Sequence, residues 1–234
     1  MPTDELSALT VLEHGAIEIE TRMPYSSNAT FVVRVTNADT TLRAIYKPLR
    51  GERPLWDFEP GLHRREVAAY RLATAMGLDF VPPTVLRDGP LGEGSLQLFV
   101  DADFEQHYFT LFESQPELHD CFRDIAVFDI LANNTDRKSG HVLVDSENHV
   151  WAIDHGLCFA ADFKLRTVIW EFGGEEIPDT ALGAVERVAS LPLDVAALLS
   201  DDEVAAHGER AAWLLEHRRL PVDPSGWRYP WPLV

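Results

Sequence analysis

The sequence predicts an α+β protein in two lobes, an antiparallel sheet carrying one helix followed by a mainly helical half. Period-two apolar alternation is confined to about the first hundred residues, and three-to-four spacing dominates after residue 105. Between helical patterns, the stretch NNTDRKSGHVLVDSENHVWAIDHG (133–156) sets two short apolar runs, read as strands, among charged loops. The expected lobes are 1–103 and 104–234. At 234 residues and 46% hydrophobic content, the chain can bury about 70–75% of its unfolded surface and fold alone.

The elements follow in order. GAIEIETR (15–22) and TFVVRVT (30–36) read as a hairpin joined by MPYSSNA, whose Pro, Ser and Asn are turn formers. TLRAIYK (41–47) is a third strand stopped by Pro48, and the polar stretch PLRGERPLWDFEPGLH is a long loop of the kind that often carries function. REVAAYRLATAMG (65–77) has helix formers throughout and Gly77 as its stop. TVLRD (84–88) and SLQLFVD (95–101) flank a Gly- and Pro-rich turn as strands four and five. In the second half, DCFRDIAVFDILAN (120–133) places Phe122, Ile125, Ala126 and Ile130 on one face, broken only by Asp129. KLRTVIWEF, DTALGAVERVASL and DVAALLSDDEVAAHGERAAWLLEHRR have helical spacing, whereas PVDPSGWRYPWPLV is too Pro-rich for regular structure.

Charge narrows the function. A net charge of −18, from 20 basic and 38 acidic residues, opposes binding to nucleic acid or stable association with an anionic membrane, both of which need Lys and Arg against phosphates. Cys121 and Cys158 are too few for a disulfide framework and read as buried thiols. The N-terminus lacks a basic region followed by a long apolar run, and no stretch reaches the ~18 residues of a membrane span. A cytoplasmic protein is expected.

The residues of 133–156 carry the chemistry. A kinase-type loop presents a base Asp, a Lys two residues on, a metal-binding Asn five residues on, and a further metal-binding Asp. Here Asp136 and Lys138 occupy the first two places, His141 stands where Asn would, and Asp154 follows 13 residues later in DHG. Phosphoryl transfer asks a protein mainly for positioning and for positive charge against phosphate oxygens. Asp136 is the expected base, Lys138 the charge beside the transferred group, and Asp154 a ligand to Mg2+ or Mn2+ at a strand end. Imidazole is a poorer Mg2+ ligand than an amide or carboxylate oxygen and suits Mn2+ or Zn2+ better. His141 therefore either changes the metal, or contacts a phosphate or the base and leaves one metal site missing.

For ATP itself, Lys47 at the end of the third strand can hold phosphates, and Glu66, 19 residues later on the first helix, can orient it. The turn with Ser26, Ser27 and Asn28 stands where a phosphate-covering loop belongs but lacks a GxGxxG pattern, and it equally suits a plain hairpin. Strand five and its exit, including Leu98, Phe99 and Val100, offer backbone groups to the purine. The order strand, strand, strand, helix, strand, strand is that of a kinase N-terminal lobe.

NTDRKSGH and AIDHG resemble the DRHxxN and DFG equivalents of atypical kinases related to phosphatidylinositol 3- and 4-kinases, a theme shared by bacterial toxin kinases. With YKPLRGERPLWDF, REVAAY, VPPTVLRDGPLGEG, NNTDRKSGH and IDHGLCF, the chain resembles an actinobacterial phosphatidylinositol 3- and 4-kinase-like family over about residues 44–160. The resemblance implies a kinase-like fold, ATP and a metal, and supports Lys47, Asp136 and Asp154 in these roles. It does not name the phosphate acceptor, for which a protein or small molecule fits the charge better than a membrane lipid. A nucleotide-binding pseudokinase is the alternative that His141 favours. A metal-dependent hydrolase on Asp136, His141, Asp154 and His155 would leave Lys47 and Glu66 without purpose. The GERPLWDF loop, with Arg53, Trp56 and Phe58, is expected either to cover the nucleotide or to plug the space between lobes.

Overall fold

A computed structural model describes residues 2–24 and 28–234. Helix α1 (Pro2–His14) leads into β1 (Ala16–Arg22), β2 (Phe31–Asn37) and β3 (Thr40–Pro48), and a loop then reaches α2 (Leu62–Met76), β4 (Thr84–Gly89) and β5 (Gly92–Leu98). The five strands form one antiparallel sheet in the order β1-β2-β3-β5-β4. Alternation explains its two faces. Ala44 and Tyr46 are buried under α1 together with Val33, Val35 and Leu96, against Val11 and Leu12. Ile45 and Lys47, one residue out of phase on β3, line the cleft on the other face. Gly94 pairs with Pro48, and a Cβ there would lie 2.6 Å from the Lys47 carbonyl oxygen. Glycine thus lets β5 close on the strand that carries Lys47.

The second half contains α3 (Tyr108–Ser114), α4 (His119–Leu131), the hairpin β6 (Val142–Val144) and β7 (Val150–Ala152), and then α5 (Asp179–Arg187), α6 (Leu193–Ala196) and α7 (Asp201–His217). Its core gathers Phe122, Ile125 and Phe128 of α4, Val142 and Ala152 of the hairpin, and Leu182, Val185 and Leu214 of the late helices. Ala68, Leu72 and Met76 of α2 belong to this larger core, not to the sheet's. Helix α2 is therefore the element that ties the two packing units together. It stops at Gly77, whose positive φ of 78° and N–H to the Ala73 and Thr74 carbonyls close the last turn.

Several expectations are corrected. Helices α1 and α3 were not anticipated, and β5 ends at Leu98 rather than Asp101. Residues 164–172 are not helical: Lys164 N–H donates to Asn133 Oδ1, Arg166 N–H to the Asn134 carbonyl and Val168 N–H to the Arg137 carbonyl. These amides serve the 133–137 loop instead of a helical ladder. The run 194–219 is two helices, divided where Ser200 caps α7 through a reciprocal pair with Glu203, 3.3 Å to the Glu203 amide and 2.9 Å from the Ser200 amide to its carboxylate. Among the described residues no helix is long and apolar enough to cross a membrane.

Candidate active site

Lys47, Glu66 and Asp154 converge from β3, α2 and the turn after β7. The Lys47 ammonium contacts Glu66 Oε1 and donates to Asp154 Oδ1 at 2.8 Å. Glu66 is almost fully buried, and its Oε2 accepts the His155 N–H at 3.0 Å. One carboxylate thus bridges the lysine and the DHG backbone. Asp154 has a left-handed φ of 60°, which turns the chain out of β7 and leaves its carboxylate half exposed toward the cleft. Burial works against the Lys47 charge, but Asp154 and Glu66 outweigh it and raise its pKa. The same ammonium holds Asp154 well below the usual carboxylate range.

Asp136 and Lys138 sit together on the loop between α4 and β6, with Nζ to Oδ2 at 2.6 Å. Burial raises the Asp136 pKa, and Lys138 opposes it. His141 Nε2 lies 3.5 Å from Asp154 Oδ2. Burial lowers His141 to about 4, with Asp154 pulling the other way. Its ring is therefore neutral at pH 7, with Nδ1 accepting the Lys138 N–H at 3.4 Å and Nε2 facing Asp154. Among the described residues no three His, Cys, Asp or Glu side chains form a metal-binding group. Asp154 and His141 supply two donors, so further ligands would have to come from phosphate oxygens and water.

Beneath this loop lies a network that sequence reasoning missed. Arg137 is fully buried and forms a two-pronged pair with Asp129 of α4, Nε to Oδ2 and Nη2 to Oδ1 both at 2.9 Å. It also donates to the Ile153 carbonyl at 2.9 Å, while Asn134 Nδ2 donates to Asp129 and its Oδ1 receives the Asp136 N–H. A single guanidinium thus joins the helix before Asp136 to the strand before Asp154. The Asp129 that broke the apolar stripe of α4 was the available signal, since a carboxylate at a core position requires a partner. His155 is buried beside Arg137, with Nη2 to Nε2 at 2.7 Å. This removes it from any exposed metal site.

A cavity of about 380 Å³ unites Lys47, Glu66, Asp136, Lys138 and Asp154 with Asn28, Gln97, Leu98, Phe99 and Val100. His141 is not among its lining residues. Leu98 and Phe99 N–H groups already serve the Pro83 and Arg43 carbonyls, leaving the Val100 N–H without a hydrogen bond among the described residues. Asn28 Oδ1 accepts the Arg53 N–H at 2.9 Å, tying the first hairpin turn to the following loop. Ser26 and Ser27 lie outside the described residues. A larger cavity, about 530 Å³, sits under residues 49–62 and contains none of the expected catalytic groups. The GERPLWDF loop builds that second cavity; with Trp56 94% exposed, it is not an apolar plug.

The antiparallel five-stranded sheet beside a mainly helical half is a kinase-like fold, shared with solved kinase structures. The Golgi casein kinase with Mn/ADP bound superposes with a TM-score of 0.59 at 15% identity, covering 100% of this chain and 81% of that one. The Helicobacter pylori proinflammatory kinase CtkA gives 0.54 at 13% identity over 88% and 93%, and hydra Fam20 with sugar gives 0.59 at 14% over 93% and 89%. No family model matches the sequence. The chain belongs to the family of Protein Rv2133c of Mycobacterium tuberculosis (strain ATCC 25618 / H37Rv), with which it is 37% identical over 261 aligned positions spanning 95% of this chain and 94% of that protein.

Proposed function

We propose that the protein is an ATP- and metal-dependent phosphotransferase of the phosphatidylinositol 3- and 4-kinase-like class, working in the cytoplasm on a protein or small-molecule hydroxyl. The observation that carries this reading is the Lys47 ammonium held between Glu66 and Asp154. It is a fixed positive charge at a cavity large enough for a nucleotide, with a half-exposed carboxylate beside it. Lys47 meets the α and β phosphates, and Glu66 keeps it in place. The purine lies along residues 97–100, with the Val100 amide as its hydrogen-bond donor, and Asn28 covers the phosphates.

Asp154 and His141 would hold Mg2+ or Mn2+, and when bound the metal offsets negative charge on the triphosphate. The neutral imidazole favours Mn2+, in keeping with the Mn/ADP complex of a protein of the same fold. Asp136, raised by burial, takes the proton of the acceptor hydroxyl as its oxygen bonds to the γ phosphorus and the bond to the ADP oxygen breaks. Lys138 sits beside that oxygen and neutralises the charge on the transferred group.

A second reading, a nucleotide-binding pseudokinase, is favoured by His141 standing outside the cavity lining. Incubation with γ-labelled ATP and Mn2+ or Mg2+ separates the two. Phosphotransfer that disappears in Asp136→Asn supports the enzyme with Asp136 as base. Nucleotide binding without turnover under either metal supports the pseudokinase.

A further inference from the structure

The larger cavity holds none of the groups proposed to meet ATP, yet it is a built feature. Glu52 fastens the loop at its far end: its carboxylate accepts the Gly61 N–H at 2.8 Å, and the His63 N–H and Nδ1 at 2.9 Å each. Glu52 and Leu62 line both cavities, so the two share a wall. The opposite side, Asp162 and Lys164, hangs from Asn133, three residues before Asp136. Asn133 Nδ2 donates to the Ala160 and Asp162 carbonyls at 2.8 Å, and Oδ1 accepts the Lys164 N–H at 2.9 Å. The cavity therefore adjoins both the nucleotide site and the loop that carries the proposed base.

Its chemistry is specific. Trp56 is 94% exposed, and Lys164 Nζ stands 5.9 Å from its ring centroid and 5.6 Å from that of Phe58. Next along the chain, the Arg228 guanidinium lies 5.3 Å from the Phe163 ring. This surface already seats cations on aromatic rings. Four carboxylates against two cations line the cavity, and those of Glu59 and Asp162 carry no ion pair among the described residues. The whole chain, at −18, attracts a cationic partner before contact is made.

We infer that this cavity is the acceptor subsite and that the acceptor is a basic polypeptide. An Arg or Lys side chain near the phosphorylated hydroxyl lies on the open face of Trp56, with Asp162 and Glu59 as its counter-charges. The inference rests on the phosphotransferase reading and adds the acceptor's class to it.

A positional peptide library, each member with one Ser or Thr among degenerate neighbours, tests this with γ-labelled ATP and the full chain. The expected result is selection of Arg or Lys at one or more flanking positions, with rates that fall as salt rises. For the selected peptide, Trp56→Ala and Asp162→Asn should each raise KM by about tenfold, the worth of one partly desolvated cation–π or ion-pair contact, and leave kcat and nucleotide affinity unchanged. Selection of acidic neighbours, an unchanged KM in both variants, or consumption of ATP with no peptide labelled under any flanking sequence would overturn the subsite while leaving phosphotransfer intact. No ATP turnover by the wild-type chain under either metal would remove the phosphotransferase reading itself, and the subsite with it.

Discussion

Two ion networks a few residues apart behave as opposites. Lys47, Glu66 and Asp154 meet at a cavity where the lysine is partly exposed and one carboxylate half exposed. Arg137 and Asp129 meet where neither side chain is exposed at all. The open network has room to exchange a partner: under the proposed function a triphosphate replaces Asp154 on the ammonium, and Asp154 turns to a cation. The closed one cannot exchange anything, because each charge depends on the other for its solvation. In the proposed function, the charges that would meet ligands are the accessible ones, and the pair that would aim them is sealed beneath.

Breaking the closed pair should have the largest effect. Arg137→Met or Asp129→Leu alone strands a buried charge and should cost about 3–5 kcal/mol in urea unfolding. The double variant Asp129→Leu/Arg137→Met should recover most of that stability while phosphotransfer stays low, since the Ile153 carbonyl loses its guanidinium. Recovery of activity along with stability would show that the pair does not aim the loop. In the open network, Lys47→Ala should reduce turnover on the order of a hundredfold with the circular dichroism spectrum preserved. Unchanged kinetics would dissolve its proposed partnership with Glu66.

A third carboxylate sharpens the comparison through pH. Burial raises Glu52, but the His63 ring and the Gly61, His63 and Leu62 amides outweigh it and bring it to about 2 from an ordinary 4.5. A depressed folded pKa contributes stability that is fully present above 4.5 and is lost as pH falls toward 2, a change of at most about 3 kcal/mol once solvent screening of this partly buried carboxylate is counted. Glu52→Gln should flatten the stability profile between those limits, and a profile as steep as wild type would place the acid transition elsewhere. The smallest effect is expected at His141→Asn, a few-fold shift of metal preference from Mn2+ toward Mg2+. Equal preference before and after would exclude His141 as a direct ligand.

Much of this was legible in the residues. Alternation in TFVVRVT and TLRAIYK located β2 and β3, and through them the strand end that presents Lys47. The spacing from Lys47 to Glu66 and from Asp136 to Asp154 matched groups that the fold brings to one cavity. Arg137 was not legible, because in DRKSG it looks like one more solvated charge, and only Asp129, earlier on α4, hinted otherwise by sitting in an apolar stripe. KLRTVIWEF has helical spacing, yet its amides are claimed by the neighbouring loop, a tertiary competition that local periodicity cannot register. The exposed ring of Trp56 was not legible either: the sequence left the GERPLWDF loop to cover the nucleotide or to plug the space between lobes, and only the folded neighbours decide.

Calorimetry of a nonhydrolysable ATP analogue in the presence and absence of Mn2+, on the wild-type chain and on Asp154→Asn, probes the open network most directly. Binding to the wild type should be strengthened by the metal, and that strengthening should vanish in Asp154→Asn while the metal-free affinity holds or rises, since the carboxylate no longer competes for Lys47. Metal-dependent binding that survives the substitution would contradict the placement of the cation and, with it, the function assigned to the cleft.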